Sequence, residues 1–295
     1  MDWIHGSPDP HHRSDPPIQV YAHDDSTYIL RQSKDVSFEA PFLYLFLGED
    51  RALLLDTGAT ADARAFPLKE TISHLLSTRK DRPPHGEYAL VVAHTHSHRD
   101  HVAGDEQFRD QPGTVVVGKD LNAVQRFFGL SPWPDGLARF DLGGRAVEVF
   151  GIPGHHATSI AVYDPRSRFL VTGDTVYPGR LYVQDISAFV ASLNRLVAFA
   201  ESRRVDRVMG CHIEMTRTPG LDYPFGARFQ PREPALEMSV VQLTAVRDAA
   251  VSVASRPGVH GFDDFQIFNG PCSVAVIREM VRGLGYNLRY RLGAR

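Results

Sequence analysis

The sequence predicts an α/β fold, and three observations carry that expectation. Between about Ile18 and His212, short apolar runs of strand length alternate with segments whose apolar residues recur at helical spacing. The chain has 295 residues, 43% of them hydrophobic, enough to bury a large core as one domain or as one domain with an appendage. No apolar run reaches the roughly 18 residues that a membrane-crossing helix requires.

The elements follow in order. Residues 1–17, MDWIHGSPDPHHRSDPP, are polar and proline-rich, so they are expected to form a mobile tail with His5, His11 and His12 in solvent. They lack the apolar stretch of a signal peptide. Phe42–Leu47 and residues 52–55 read as paired strands around a Gly48-Glu49-Asp50 turn. Leu68, Ile72, Leu75 and Leu76 mark a helix, and residues 80–86 a polar, proline-bearing loop. Residues 88–93 form a buried strand, 114–118 another, and Leu121–Phe128 a helix. Strands are expected at 147–152, 159–163 and 169–172. A helix with Phe189, Leu193, Leu196, Val197 and Ala200 on one face comes next, then a strand at 205–211.

Beyond His212 the pattern changes. Residues 216–234 carry Pro219, Gly220, Pro224, Gly226, Pro231 and Pro234, and read either as a loop covering a substrate or as a linker packed on the surface. Leu236, Val240, Leu243, Val246 and Ala250 mark a long helix. Val274, Ile277, Val281 and Leu284 mark another, and Leu288, Tyr290 and Leu292 alternate like a final strand. The expected organisation is a tail over 1–17, a main domain over 18–215, and an accessory region over 216–295 packed on it.

Charge and cysteines narrow the functions. The formal net charge is −3, with acids and bases mixed along the chain. That leaves no basic footprint for nucleic acid and no polybasic patch for a membrane surface, so the expected partner is a small molecule. Two cysteines make no disulfide framework and fit a reducing cytoplasm.

The strongest chemical signal is VAHTHSHRDHVAG, which places His96, His98, Asp100 and His101 within six residues directly after a predicted strand. A tight turn presenting alternate side chains can aim His96 and His98 at one metal ion, while Asp100 and His101 reach a second close by. Oxygen and nitrogen donors at this density suit zinc, iron or manganese. Ligands at the mouth of a buried strand lie where α/β folds keep their chemistry.

The run Thr95-His96-Ser97-His98-Arg99-Asp100-His101 resembles the H-x-H-x-D-H signature of the metallo-β-lactamase-fold hydrolases. The resemblance extends in order through Asp56-Thr57-Gly58, Pro153-Gly154-His155, Gly173-Asp174-Thr175 and His212. The turns and the run Gly210-Cys211-His212-Ile213-Glu214-Met215-Thr216 are similar to the glyoxalase II-like branch. It implies an αβ/βα sandwich, two facing sheets with helices outside. It also implies two divalent ions, zinc first and iron or manganese as alternatives. His96, His98 and His155 would hold one ion, Asp100, His101 and His212 the other, and Asp174 would bridge them. A hydroxide bridging the pair would be the nucleophile, with Asp100 orienting it or carrying a proton to the leaving group.

Asp56 would either hold a ligand histidine by its free ring nitrogen or cap its own turn. If His212 faces the metals, Cys211 faces the core, because strand neighbours point to opposite faces. His94 is expected to be buried and hydrogen-bonded, and His260 to be a surface histidine. His156 either touches substrate or closes a turn. Tyr177, Arg180, Tyr182 and Asp185, in a loop over 175–186, either line the pocket or pack the loop; Arg180 could pair with a substrate carboxylate.

The implied function is a dinuclear hydrolase of a small ester, thioester or lactone. A β-lactamase is less favoured for want of a secretory signal. A phosphodiesterase of the same fold is disfavoured by the charge and by the 37 residues that separate Asp174 from His212, too few for an inserted domain. Persulfide dioxygenases share the motif but use a single iron, and a metal-dependent ligand sensor would leave the same ligands unused for catalysis.

Overall fold

Apolar runs buried on both faces build the central strands of the first sheet of the computed structural model, which describes residues 2–9, 11, 13–78, 88–271 and 273–293. The sheet orders β1 (Ile18–Asp24), β2 (Thr27–Gln32), β3 (Phe42–Leu47), β4 (Arg51–Leu55), β5 (Ala89–Ala93) and β6 (Thr114–Val116) side by side. β1 to β4 pair antiparallel, and β4, β5 and β6 run parallel. In β3, Phe42, Tyr44 and Phe46 enter the core between the sheets, while Leu43, Leu45 and Leu47 join the cluster beneath α1 (Leu68–Ser77). The period-two alternation thus feeds two apolar layers, and a strand covered on both faces reads as one apolar run.

The second sheet orders β13 (Glu237–Met238), β12 (Arg207–Gly210), β10 (Phe169–Gly173), β9 (Ile160–Asp164), β8 (Ala146–Gly151) and β7 (Leu137–Asp141). Val147, Val149, Ile160, Val162, Phe169 and Val171 meet the first sheet. The opposite face packs on α4 (Ile186–Ser202) and α5 (Val240–Val253) through Phe189, Leu193, Leu196, Leu243 and Val246. The result is a helix–sheet–sheet–helix sandwich. α2 (Arg99–Val102) and α3 (Leu121–Phe128) lie in the connections of the first half. A third small sheet orders β11 (Arg180–Val183), β15 (Gln266–Asn269) and β14 (Gly258–Gly261). α6 (Ser273–Gly293) ends the described chain. No helix among the described residues is long and apolar enough to cross a membrane.

Several expectations change. The N-terminal segment is packed rather than mobile: Trp3 is 7% exposed with its ring 4.8 Å from that of Phe42, and the Ser7 hydroxyl donates to Asp35 Oδ2 at 2.7 Å. The strand expected from Leu288 to Leu292 is the last part of α6; Leu284, Leu288 and Leu292 also satisfy helical spacing, and five alternating residues cannot separate the two periods. The loop expected over 175–186 contains β11, and the helix expected from Leu236 starts at Val240, where Ser239 and Gln242 form a capping box. The loop at 80–86 and His12 lie outside the described residues.

Candidate metal centre

The segments that leave β4, β5, β8, β10 and β12 converge on one rim. β4 turns into Asp56, whose φ of +71° is a left-handed conformation that aspartate tolerates better than most residues. This turn brings the Asp56 carboxylate under the end of β5. Its Oδ1 accepts the Thr95 amide at 2.8 Å, and its Oδ2 accepts the Thr95 hydroxyl and His101 Nδ1, both at 2.9 Å. β10 ends at Gly173, with φ +55°, where a Cβ would stand 2.8 Å from the Thr95 Cβ. Only glycine lets Asp174 approach the β5 loop so closely.

Two clusters result. In the first, His96 Nε2 lies 3.0 Å from His98 Nδ1 and 3.2 Å from His155 Nε2, and the last two are 3.0 Å apart. In the second, His101 Nε2 and His212 Nε2 are 3.4 Å apart, each 3.3 Å from Asp100 Oδ2. Asp174 stands between them. Its Oδ2 is 3.9 Å from His96 Nε2 and 3.8 Å from His155 Nε2, while its Oδ1 is 3.5 Å from His101 Nε2 and 3.4 Å from His212 Nε2.

The far sides of the rings fix which nitrogen is free. His155 Nδ1 donates to Tyr182 O at 2.7 Å, His212 Nδ1 to Glu39 O at 3.0 Å, and His101 Nδ1 to the Asp56 carboxylate. None of these acceptors can donate in return, so each Nδ1 carries a proton, and Nε2 is the nitrogen that can turn a lone pair inward to a cation. In the first cluster three imidazole nitrogens lie 3.0–3.2 Å apart, all turned to one point. Ligands at about 2.0–2.1 Å from a tetrahedral zinc stand roughly 3.3 Å from one another, close to this spacing. Asp174 Oδ1, buried and without a hydrogen-bond partner among the described residues, also fits a cation.

Electrostatics agree with the geometry. Burial, and then His101, holds His96 well below the usual imidazole range, and burial takes His155 down to about 4. Both rings are therefore neutral donors at pH 7. At the second cluster burial opposes charge, yet the carboxylates, chiefly Asp100 for His101 and Asp174 for His212, hold both rings well above that range. Burial likewise opposes ionisation of Asp174, and His212 and His101 hold it well below the carboxylate range. This cluster calls for positive charge at its centre, which protons or a divalent cation can supply.

The remaining expected residues divide. His156 is half-buried beside the rim, its ring centroid 4.6 Å from that of His98, and its Nδ1 2.9 Å from the Thr158 hydroxyl. Tyr182 is also half-buried and, with Val183, Gln184, Phe268, Gly270 and Pro271, lines a cavity of about 390 Å³. Gln184 Nε2 is 3.3 Å from His98 Nε2, so this cavity adjoins the first cluster.

Tyr177 and Arg180 instead face the protein. The Tyr177 hydroxyl bonds Arg180 O and Glu214, and the buried Arg180 guanidinium meets Glu214, Asp222 and Tyr223 O. Two carboxylates already neutralise Arg180, so it is not placed to take a substrate carboxylate. The Asp185 side chain caps α4 by accepting the Ala188 amide.

Cys211 is buried in the core with its thiol 3.4 Å from Asp56 Oδ2. Burial raises its pKa well above the usual thiol value, so Asp56, His101 and Cys211 form a hydrogen-bonded support rather than a thiolate site. His94 is buried with Nε2 3.3 Å from Asp105 Oδ1. His260 lies on β14, where its Nε2 is 2.7 Å from Arg256 O. Glu39, which no motif announces, is held near the second cluster, where burial, and then Asp100, pushes its carboxyl up to about 7.

Comparison with known proteins yields matches of three kinds. Residues 38–212 match the family model described as the metallo-beta-lactamase superfamily. Hydroxyacylglutathione hydrolases of Brucella ovis and Brucella abortus are each 28% identical over 156 residues, covering 52% of this chain and 58% of theirs. The chain thus spans little more than half the length of these curated relatives. Among solved structures, a metallo-beta-lactamase from Pontibacter korlensis aligns with a TM-score of 0.54 at 18% identity, over 79% of this chain and 99% of that one. One from Erythrobacter litoralis aligns with a TM-score of 0.53 at 15% identity, over 81% and 98%. At such identities the likeness is one of fold.

Proposed function

The chain belongs to the metallo-beta-lactamase superfamily, and from that premise we propose that it is a metal-dependent hydrolase with two divalent cations that cleaves a small ester, thioester or lactone. The observation that carries this reading is the reach of Asp174, one carboxylate oxygen turned to each histidine cluster. His96, His98 and His155 would hold one cation, Asp100, His101 and His212 the other, with Asp174 between them. Imidazole and carboxylate donors suit zinc. Cations held there would supply a water ionised near neutral pH and polarise the scissile carbonyl oxygen.

The chain's own residues do the rest. Asp56 locks the His101 ring by its Nδ1, and the carbonyls of Tyr182 and Glu39 lock His155 and His212. Held in this way, the inward nitrogens need little reorganisation when the site is loaded. Asp100 is 22% exposed at its side chain against 10% for Asp174 and none for Asp56. It is therefore the carboxylate best placed to exchange a proton with the reacting groups. Tyr182 lines the 390 Å³ cavity and His156 stands against the His98 ring, and both would contact the substrate. The curated relatives, named as hydrolases of hydroxyacylglutathione, support cleavage of an acyl bond.

The test compares initial rates on a thioester, a lactone, an aryl ester, a β-lactam and a phosphodiester, using metal-loaded protein and Asp100→Asn. Turnover is expected on at least one of the first three, with a loss of about 10²-fold or more in the variant. Turnover of the phosphodiester alone, or equal rates in the variant, would overturn the proposal.

A further inference from the structure

α6 leaves a large apolar face uncovered. Val274, Ile277, Val281, Leu284 and Leu288 are between 55% and 80% exposed, and Leu292 extends the line at 63%. A soluble surface rarely leaves so many large apolar side chains together. The opposite face of the helix is fixed to residues 225–229. A Cβ on Gly283 would stand 1.9 Å from Phe225 O, the Tyr286 hydroxyl donates to Phe229 O at 2.9 Å, and Asn287 Nδ2 donates to Gly226 O at 2.9 Å. The apolar face is therefore held outward by the packing beneath it.

The spacing identifies the occupant. Val274, Val281 and Leu288 recur every seven residues, with Ile277 and Leu284 three residues after the first two. That is the a/d seam of a two-stranded coiled coil, with β-branched residues and leucines in the knob positions. The exposed side chains offer on the order of 600–700 Å² of apolar surface per chain, near the ~800 Å² per partner of a standard interface. We propose that this face pairs with the same face of a second copy of the chain, antiparallel about a two-fold axis between Val281 and Leu284.

Direction follows from charge. The next seam position is Arg291. A parallel pair would bring two Arg291 guanidinium groups together at the seam, a like-charge contact. An antiparallel pair sets each Arg291 opposite Val274 of the second copy at the open end of the seam, where the guanidinium reaches water. In that arrangement Val281 meets Leu284, Ile277 meets Leu288, and each contact occurs twice, as an isologous interface requires.

Sedimentation equilibrium on the full chain over a range of micromolar concentrations tests the pairing. The expected mass is twice the 32.8 kDa of one chain. Leu284→Arg, and independently Ile277→Lys, should return it to one chain, weakening association by about 100-fold or more because a charge enters the seam of both copies. Val241→Arg, at a position on α5 that is 79% exposed, should leave the mass of the pair unchanged. Far-UV circular dichroism and thermal midpoints check that each variant folds. A monomeric wild type, or a pair that survives both seam variants, contradicts the proposal. A monomer that sediments with phosphatidylcholine–phosphatidylglycerol vesicles, and loses that binding in Leu284→Arg, would assign the face to anionic lipid instead.

Discussion

At the scale of single residues, Asp174 carries the account, because its two oxygens face different histidine clusters. Asp174→Ala should lose at least one metal ion per chain, read by elemental analysis after gel filtration. Retention of full metal content and activity would remove the bridge from the mechanism. His94 gives the opposite expectation. It sits two residues before His96 but is turned to Asp105, so His94→Ala should bind as much metal as the wild type; loss of an ion there would put the ligand register off by two. Lys34 gives a pH dependence unrelated to catalysis. Burial, only partly offset by Glu233, lowers its pKa to about 8. Between pH 8 and the value of about 10.4 for an unfolded lysine, the unfolded chain holds a proton that the native chain lacks, so stability rises with pH across that window, by roughly 3 kcal/mol. Lys34→Met should flatten the rise in urea titrations and leave the protein more stable at pH 7. The motif residues were legible because chemistry demands their types at short spacing. Glu39 and Gln184 were not, since each reaches the site through folding alone and no local pattern marks it.

At the scale of elements, legibility followed burial. β3, β4 and β5 are covered on both faces, and their continuous apolar runs announced them. β11, β14 and β15 are four-residue strands in a small sheet, too short and too mixed in polarity for periodicity to register. The Pro-Gly-His turn after β8 shows an element controlling the site. Gly154 has φ +135°, and a Cβ there would lie 2.4 Å from Phe189 Cα on α4. Gly154→Ala therefore combines backbone strain with a backbone clash and should cost roughly 3 kcal/mol in urea unfolding. Because His155 is the next residue, metal content should fall with it. A stable variant with unchanged metal content would mean that α4 can shift without moving the turn.

At the scale of the molecule, the segment after the motif region is tied into the rest by charge as well as by apolar packing. Arg31 on β2 and Glu233 form a buried two-pronged ion pair at 2.6 and 2.7 Å. Removing one partner strands the other charge, so Glu233→Ala should lower stability by about 3–5 kcal/mol, measured by chemical denaturation. A change below 1 kcal/mol would show that the segment over 216–234 separates from the sandwich at little cost. The sandwich brings the strand ends together, the strand ends bring the two clusters together, and the function rests on what those clusters hold. The most direct measurement is the number of divalent ions bound per chain, by plasma mass spectrometry on protein purified without chelator and then zinc-loaded. Two ions per chain are expected; a stoichiometry saturating at one would rule out a two-metal centre.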